Sequence, residues 1–165
     1  MKKYLILLVA ALTITFTGCE TVTEPGGTSV QDMAGEWWVT AEYQDAGVWT
    51  DAGVGHFKLS TYNTAANLST EMWVNDHGSF WNFKSVVKVD YAAKTFLTTD
   101  SVTTNSASYP TEKVLITAGK VLKGAAKTPS KTAADSIVFT TVFNDDPTVY
   151  KISGFRRTGF PADDF

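Results

Sequence analysis

The sequence has little of the chemistry on which most enzymes and metal proteins depend. Its 165 residues include one cysteine and two histidines, His56 and His77. A zinc site needs several histidine, cysteine or carboxylate ligands at workable spacing, and two isolated histidines do not supply it. No G-x-S-x-G occurs, which excludes the strand–elbow–helix arrangement of α/β-hydrolases. We therefore expect no metal and no other cofactor, and the pattern identifies no catalytic residue.

Two short polar segments could suggest a site, but both read as turns. Asp76-His77-Gly78-Ser79 contains a serine and an imidazole, yet neighbouring residues on a strand face apart, and these residue types favour turns. Asn144-Asp145-Asp146 could hold calcium, but acidic turn residues at the tip of a hairpin explain the segment without a metal, and we prefer that interpretation. Neither segment is taken as a site from sequence alone.

Positive charge is also scarce, with 14 basic against 17 acidic residues and a net charge of −3. Two of the lysines, Lys2 and Lys3, stand at the start of the chain, so that the remainder is still more acidic. The other lysines are scattered. This distribution argues against a nucleic acid as partner and against a basic patch that docks on anionic lipid.

The chain begins with a segment typical of export. Lys2 and Lys3 precede an apolar run from Tyr4 to Phe16, which is shorter than the roughly 20 residues that cross a bilayer. We interpret residues 1–18 as a signal peptide. A single cysteine cannot form an internal disulfide, and Thr17-Gly18-Cys19 resembles a bacterial lipoprotein processing site, in which the cysteine is acylated.

The resemblance at Cys19 implies a protein held in the cell envelope by acyl chains, with the membrane contacted only through that anchor. Residues 19–34 would then be the lipidated cysteine and a flexible linker, because Pro25-Gly26-Gly27 lies in a stretch with little apolar periodicity. Residues 35–165 remain as one domain of ordinary size with enough chain for a core.

The domain reads as all-β. Threonine, valine and aromatic residues dominate short runs that alternate with turn-like breaks. The predicted strands are 36–43, 54–62, 67–75, 80–91, 95–103, 112–122, 136–143 and 149–158. The alanine-rich piece 124–135 contains Pro129 and is predicted to be a polar loop. The alternation of apolar and polar residues in the predicted strands fits an antiparallel sheet with one face in solvent.

Eight consecutive antiparallel strands can form a closed up-and-down barrel or a two-sheet sandwich, and we favour the barrel. In the first strand, "GEWWVTAEY", neighbouring side chains face opposite ways, so Trp37 points inward and Trp38 lies on the outer wall. The Gly35-Glu36-Trp37 sequence resembles the G-x-W of lipocalin-like (calycin) barrels. That resemblance implies that Trp37 closes the barrel base under an arginine of the last strand, for which Arg156 is the first choice.

A closer resemblance is to a family of lipoproteins of Bacteroides-like bacteria described as lipid-binding putative hydrolases. The segments that carry it are "GEWWV", "STYNTAAN", "MWVND", "FWNFK" and "KVDY", which fall between residues 35 and 91. It implies a calycin-like barrel, an apolar ligand and an envelope location.

Inward-facing side chains supply candidates for the lining of a ligand site. They are mostly large and apolar, as in small-molecule sites generally: Tyr43, Phe57, Leu59, Met72, Trp81, Phe83, Phe139 and Phe143. The same residues could equally fill a dry core. The preferred function is binding of an apolar or amphipathic small molecule. The alternatives are a hydrolase of lipids or esters and an accessory or surface-recognition subunit without a ligand.

Overall fold

The computed structural model describes residues 26–105 and 110–165, so the predicted signal peptide and Cys19 lie outside the described residues. Within these ranges the chain forms ten strands, and no helix there is long and apolar enough to cross a membrane. The strands are β1 (Gly35–Asp45), β2 (Val48–Asp51), β3 (Phe57–Tyr62), β4 (Glu71–Asn75), β5 (Lys84–Asp90), β6 (Thr95–Leu97), β7 (Val102–Thr103), β8 (Lys113–Lys127), β9 (Ala133–Phe143) and β10 (Asp146–Arg156). A 3-10 turn follows at Pro161–Asp163.

Eight of the strands close into an antiparallel barrel. Their order is β1, β3, β4, β5, β6, β8, β9 and β10, and β10 returns to pair with β1. The short β2 extends the end of β1, and β7 pairs only with β8. This confirms the predicted all-β, up-and-down, lipocalin-like barrel of about eight strands over the sandwich. We call the end where β1 begins and β10 finishes the lower end, and the opposite end the upper end.

The seam between β1 and β10 requires a small residue. Gly154 pairs with Val39, and a Cβ on it would collide with the backbone of Trp38 and Val39. Alternation along the other strands sets the core, as in β3, where Phe57, Leu59 and Thr61 are buried between partly exposed neighbours. The barrel therefore has one continuous apolar interior.

The structure corrects the predicted loop at 124–135. β8 continues to Lys127 and β9 begins at Ala133, so the connection is only residues 128–132. Gly124, in the left-handed region with φ +62°, lies at a break in the β8–β9 register and lets the strand continue past its polar stretch. The predicted strand at 80–91 is also too long, because β5 begins at Lys84.

The prediction of a flexible linker is wrong for residues 29–33. Residues 29–33 form a turn, and the side chains of Val30 and Met33 are completely buried in the barrel core. The backbone amides of Met33 and Ala34 both bond to the carbonyl of Val30. Two isolated apolar residues do not form a periodic pattern, so the sequence does not predict their burial. Because both fill the lower end of the barrel, the folded part starts before Gly35.

Candidate functional site

The lower end of the barrel is closed by Arg156 and Trp37. The guanidinium carbon of Arg156 lies 4.8 Å from the centre of the Trp37 ring. Its two terminal nitrogens donate to the carbonyl oxygens of Ala34, at 2.7 Å, and of Asp32, at 2.9 Å. The structure thus brings together the two residues that the sequence assigned to the barrel base, and one arginine fastens β10 to the turn before β1.

A hydrogen-bond chain fixes the same turn from inside. Nε1 of Trp37 donates to Oγ1 of Thr61 at 2.9 Å, and that hydroxyl donates to the carbonyl of Met33 at 2.5 Å. All three residues are buried. Each polar atom of these two hydrogen bonds has a partner, and Nε of Arg156, which makes no hydrogen bond, is compensated by the carboxylate of Asp135 at 3.2 Å. The lower end therefore resembles a protein core rather than a binding site.

Ion pairs surround this closure. Nζ of Lys94 lies 2.7 Å from the carboxylate of Asp32, and this hydrogen bond holds the pKa of Asp32 below its usual range. The carboxylate of Asp135 lies 3.2 Å from both Lys123 and Arg156. Each of these carboxylates at the lower end is therefore paired with a cation.

The barrel interior contains several of the predicted lining residues. Leu59, Met72, Phe83 and Phe139 are fully buried, and the ring of Phe139 packs 5.7 Å from that of Phe96. These side chains belong to one apolar core cluster.

The upper end is covered by rings rather than by ion pairs. We call six residues the aromatic cluster: Phe57, Phe80, Trp81, Phe83, Phe143 and Tyr150. Trp81 stacks on Phe143 with 4.6 Å between ring centres, and Phe83 lies 5.7 Å from the same ring. Phe80 contacts Phe57 at 5.6 Å and Tyr150 at 5.1 Å. Four of the eight predicted lining residues meet here.

Two residues were placed differently by the sequence. Phe80 belongs to the aromatic cluster but is not among the predicted lining residues. Tyr43 lies on β1 opposite Tyr150, half-buried. Within residues 26–105 and 110–165, Tyr43 makes none of the ring contacts of the cluster.

Phe80 and Trp81 belong to a segment between β4 and β5, residues 76–83, which we call the capping loop. The buried carboxylate of Asp76 accepts hydrogen bonds from the backbone amides of Gly78, at 2.9 Å, Phe80, at 3.2 Å, and Trp81, at 2.8 Å. These bonds turn the chain and direct both rings over the barrel mouth. The turn expected at 75–79 is therefore part of a longer non-strand segment.

Carboxyl groups from the facing side meet the capping loop. Nε1 of Trp81 donates to Oδ1 of Asp145 at 3.0 Å. The hydroxyl of Tyr150 donates to Asp146 at 2.8 Å, and burial, followed by this bond, raises the pKa of Tyr150 to about 12. Glu112 is only 8% exposed, and burial, aided by the nearby charge of Asp145, raises the pKa of its carboxyl group.

Two hydroxyl groups within the barrel have no partner. Oγ of Ser85 on β5 and Oγ1 of Thr141 on β9 are buried and make no hydrogen bond among the described residues. Ser85 follows Phe83 by two residues and Thr141 precedes Phe143 by two, so each lies one inward-facing row below the aromatic cluster. The alternation of the strands points both toward the interior.

The outer wall holds the remaining candidates. Nε2 of His77 lies 2.8 Å from Oγ of Ser60. Trp38 is only 5% exposed, because residues after β10 cover it: its Nε1 donates to Asp164 at 2.9 Å, and the ring of Phe165 packs at 5.7 Å. In the described part of the chain, no three His, Cys, Asp or Glu side chains come together as a metal site.

Comparison with known proteins agrees with this architecture. No curated protein matches the chain. A family model described as "lipid-binding putative hydrolase" matches residues 22–161, which contain the whole barrel. This confirms the resemblance seen in the sequence, and the chain belongs to the lipid-binding putative hydrolase family.

Proposed function

We propose that the protein binds a lipid or another apolar small molecule inside its barrel, and that this molecule enters at the upper end. Membership of a lipid-binding family and a small closed barrel support binding of this kind. The entrance follows from the contrast between the ends, because the lower end is held by ion pairs and backbone bonds. The upper end is covered by aromatic rings of one loop.

The unpartnered hydroxyls of Ser85 and Thr141 are the observation that carries this proposal. More than nine in ten buried polar groups in proteins have a hydrogen-bond partner, and leaving one unpaired costs about 1–3 kcal/mol. Two such groups face the interior directly below the aromatic cluster. A polar atom of a bound molecule would give them the partner that the protein does not provide.

The capping loop is suited to open because few bonds attach it to the barrel. The three bonds to Asp76 lie within the loop itself, so they preserve its shape when it moves. Two side-chain hydrogen bonds join it to the barrel in the described part of the chain, that of Trp81 to Asp145 across the mouth and that between His77 and Ser60 on the outer wall. The other contacts of Phe80 and Trp81 are with rings, which an apolar ligand can replace.

A titration with decanol tests the proposal. We expect a saturable change in tryptophan fluorescence that is lost in Trp81→Phe but retained in Trp38→Phe. Thr141→Val removes an interior hydroxyl at nearly constant shape and should weaken decanol binding several-fold. Thr140→Val, on the outer face of the same strand, is the matched control. Absence of any saturable response in the wild type would contradict the proposal.

A second candidate function is ester hydrolysis, which the contact between Ser60 and His77 favours. The 2.8 Å separation of Oγ and Nε2 is within the reach of a base that activates a hydroxyl. Turnover of a short-chain ester should then disappear in Ser60→Ala and in His77→Ala. Turnover should persist in Ser79→Ala, which removes a serine of the capping loop, to which His77 also belongs. A wild-type protein without turnover would exclude this function.

We also propose that the chain is exported and anchored in the cell envelope through acylated Cys19. The support is the apolar run at 4–16 and the Thr17-Gly18-Cys19 sequence. The mature protein should begin at Cys19 and carry acyl chains detectable by mass spectrometry. Cys19→Ala should release it from the membrane fraction, whereas an intact, unacylated N-terminus in the wild type would contradict the proposal.

A further inference from the structure

Two carboxyl groups stand at the upper rim without a cation. Glu112 directly precedes β8, and Asp145 lies in the turn between β9 and β10. The neighbouring residues Lys113 and Asn144 are joined by hydrogen bonds between the strands, so that Glu112 and Asp145 extend the same strand pair beyond the barrel. Among the residues that the structure describes, no ion pair includes either carboxylate.

Glu112 is the more unusual of the two. It is more than nine-tenths buried, and its Oε1 atom has no hydrogen-bond partner in the described part of the chain. Buried carboxylates are normally paired with a cation or fully hydrogen-bonded, because desolvation of the bare charge is costly. Backbone groups of Lys113 and Asn144 bond to its carboxyl group, and Asp145 lies within hydrogen-bonding reach of it. An acid with one unbonded oxygen beside a second acid can accept a cation that comes from outside the protein.

The surroundings of these carboxyl groups indicate which cation fits. Asp145 accepts the indole N–H of Trp81, and Trp81 stacks on Phe143. Aromatic faces next to carboxylates are the environment that proteins use for organic ammonium groups. Calcium takes six to eight oxygen ligands, and no group of three potential ligands is present within residues 26–105 and 110–165. An amine suits the rim better than a metal ion.

We propose that the upper rim recognises a ligand with a positively charged amino group, which Glu112 and Asp145 bind while the apolar chain passes the aromatic cluster into the barrel. This inference rests on the proposed binding function and specifies the class of ligand. The amino group replaces the missing counter-ion of Glu112. The chain reaches the interior row where Ser85 and Thr141 lie.

The test compares three probes of equal chain length: decylammonium, decanol and decanoate. At neutral pH and low ionic strength we expect decylammonium to bind about tenfold more tightly than decanol, with decanoate the weakest, as a partly desolvated charge pair predicts. Fluorescence titration of the wild type gives this order without any substitution. Added salt should reduce the preference for the ammonium probe.

Substituted variants then show which residues cause the preference for decylammonium. In Glu112→Gln combined with Asp145→Asn, the affinities for the three probes should converge. Asp90→Asn removes a carboxylate at the lower end and should leave the tenfold preference unchanged. Circular dichroism melting shows whether each variant is folded, and the single substitutions serve if the double one is not.

The outcomes separate this inference from the proposed function. Equal binding of all three probes by the wild type, or a preference that survives the double substitution, would overturn the amine site and leave apolar binding intact. A tenfold preference that Asp90→Asn also abolishes would overturn it too, because the effect would then come from overall charge. Failure of all three probes to bind would overturn both.

Discussion

The two ends of the barrel are closed by different kinds of interaction. At the lower end, Arg156 stacks on Trp37 and donates to two backbone carbonyls, within a set of ion pairs. At the upper end, rings of the capping loop pack on Phe143, next to Glu112 and Asp145, to which the described residues provide no counter-ion. Ion pairs and bonds to the backbone resist opening, whereas ring contacts and acids without a counter-ion can accept a new partner. The comparison assigns stability to one end and binding to the other.

The largest expected effect is on stability, and it compares one tryptophan at each end of the barrel. Trp37 is fully buried at the lower end, so Trp37→Ala should lower the free energy of unfolding by about 3–5 kcal/mol. Trp81 is half-buried at the upper end, and Trp81→Ala should cost roughly 1–2 kcal/mol. Urea unfolding gives both values. Similar losses at the two sites would break the distinction between the ends.

Neighbouring arginines provide the next test. Arg156→Lys keeps the charge but loses the fork that reaches two carbonyl oxygens, and should cost about 2–3 kcal/mol. Arg157 is similarly exposed, but its partners are the carboxylates of Glu36 and Asp164, with which a lysine can still form an ion pair, so Arg157→Lys should cost less, about 1 kcal/mol. Thermal unfolding monitored by circular dichroism distinguishes the two, and the reverse order would contradict the role of Arg156.

A smaller and local effect is expected in the capping loop. Asp76→Asn weakens three bonds to backbone amides and should cost about 1–2 kcal/mol, confined to residues 76–83. Amide hydrogen exchange should accelerate there, while Met33 and Ala34 at the lower end keep their protection. Faster exchange at both ends would show that the ends open together.

The smallest effect concerns pH. Because the folded-state pKa of Glu112 lies above its ordinary value, its protonated form stabilises the fold at low pH, and this contribution is lost as the pH rises through the raised pKa. Glu112→Gln should therefore gain stability relative to the wild type as the pH rises from acidic to neutral. Asp90→Asn, at the lower end, is the control. A wild type that gains stability relative to Glu112→Gln over the same pH range would contradict the burial of this acid.

Much of the fold could be predicted from the sequence. Alternation on the strands and the run of turn-like breaks led to an eight-strand barrel, which the structure confirms. Trp37 and Arg156 were paired through a family resemblance, and the structure places them in contact. Strand periodicity and a short motif are local signals, so a single sequence is enough to read them.

The upper end could be predicted only in part, because its geometry depends on contacts between distant segments. Phe80 is not among the predicted lining residues, because in a continuous strand at 80–91 it would alternate with Trp81, whereas the carboxylate of Asp76 turns that backbone. The role of Glu112 depends on Asp145, far along the chain. Val30 and Met33 show the same limit at the lower end, since their burial follows from closure of the barrel rather than from local pattern.

The central claim is that a ligand enters at the upper end while the lower end stays closed, and indole N–H signals test it most directly. In a nitrogen–proton NMR titration with decanol, the indole signal of Trp81 should shift saturably, while that of Trp37 stays in place. Assignment by Trp81→Phe and Trp37→Phe makes the reading unambiguous. A shift of Trp37 alone, or no shift at either indole, would contradict the account.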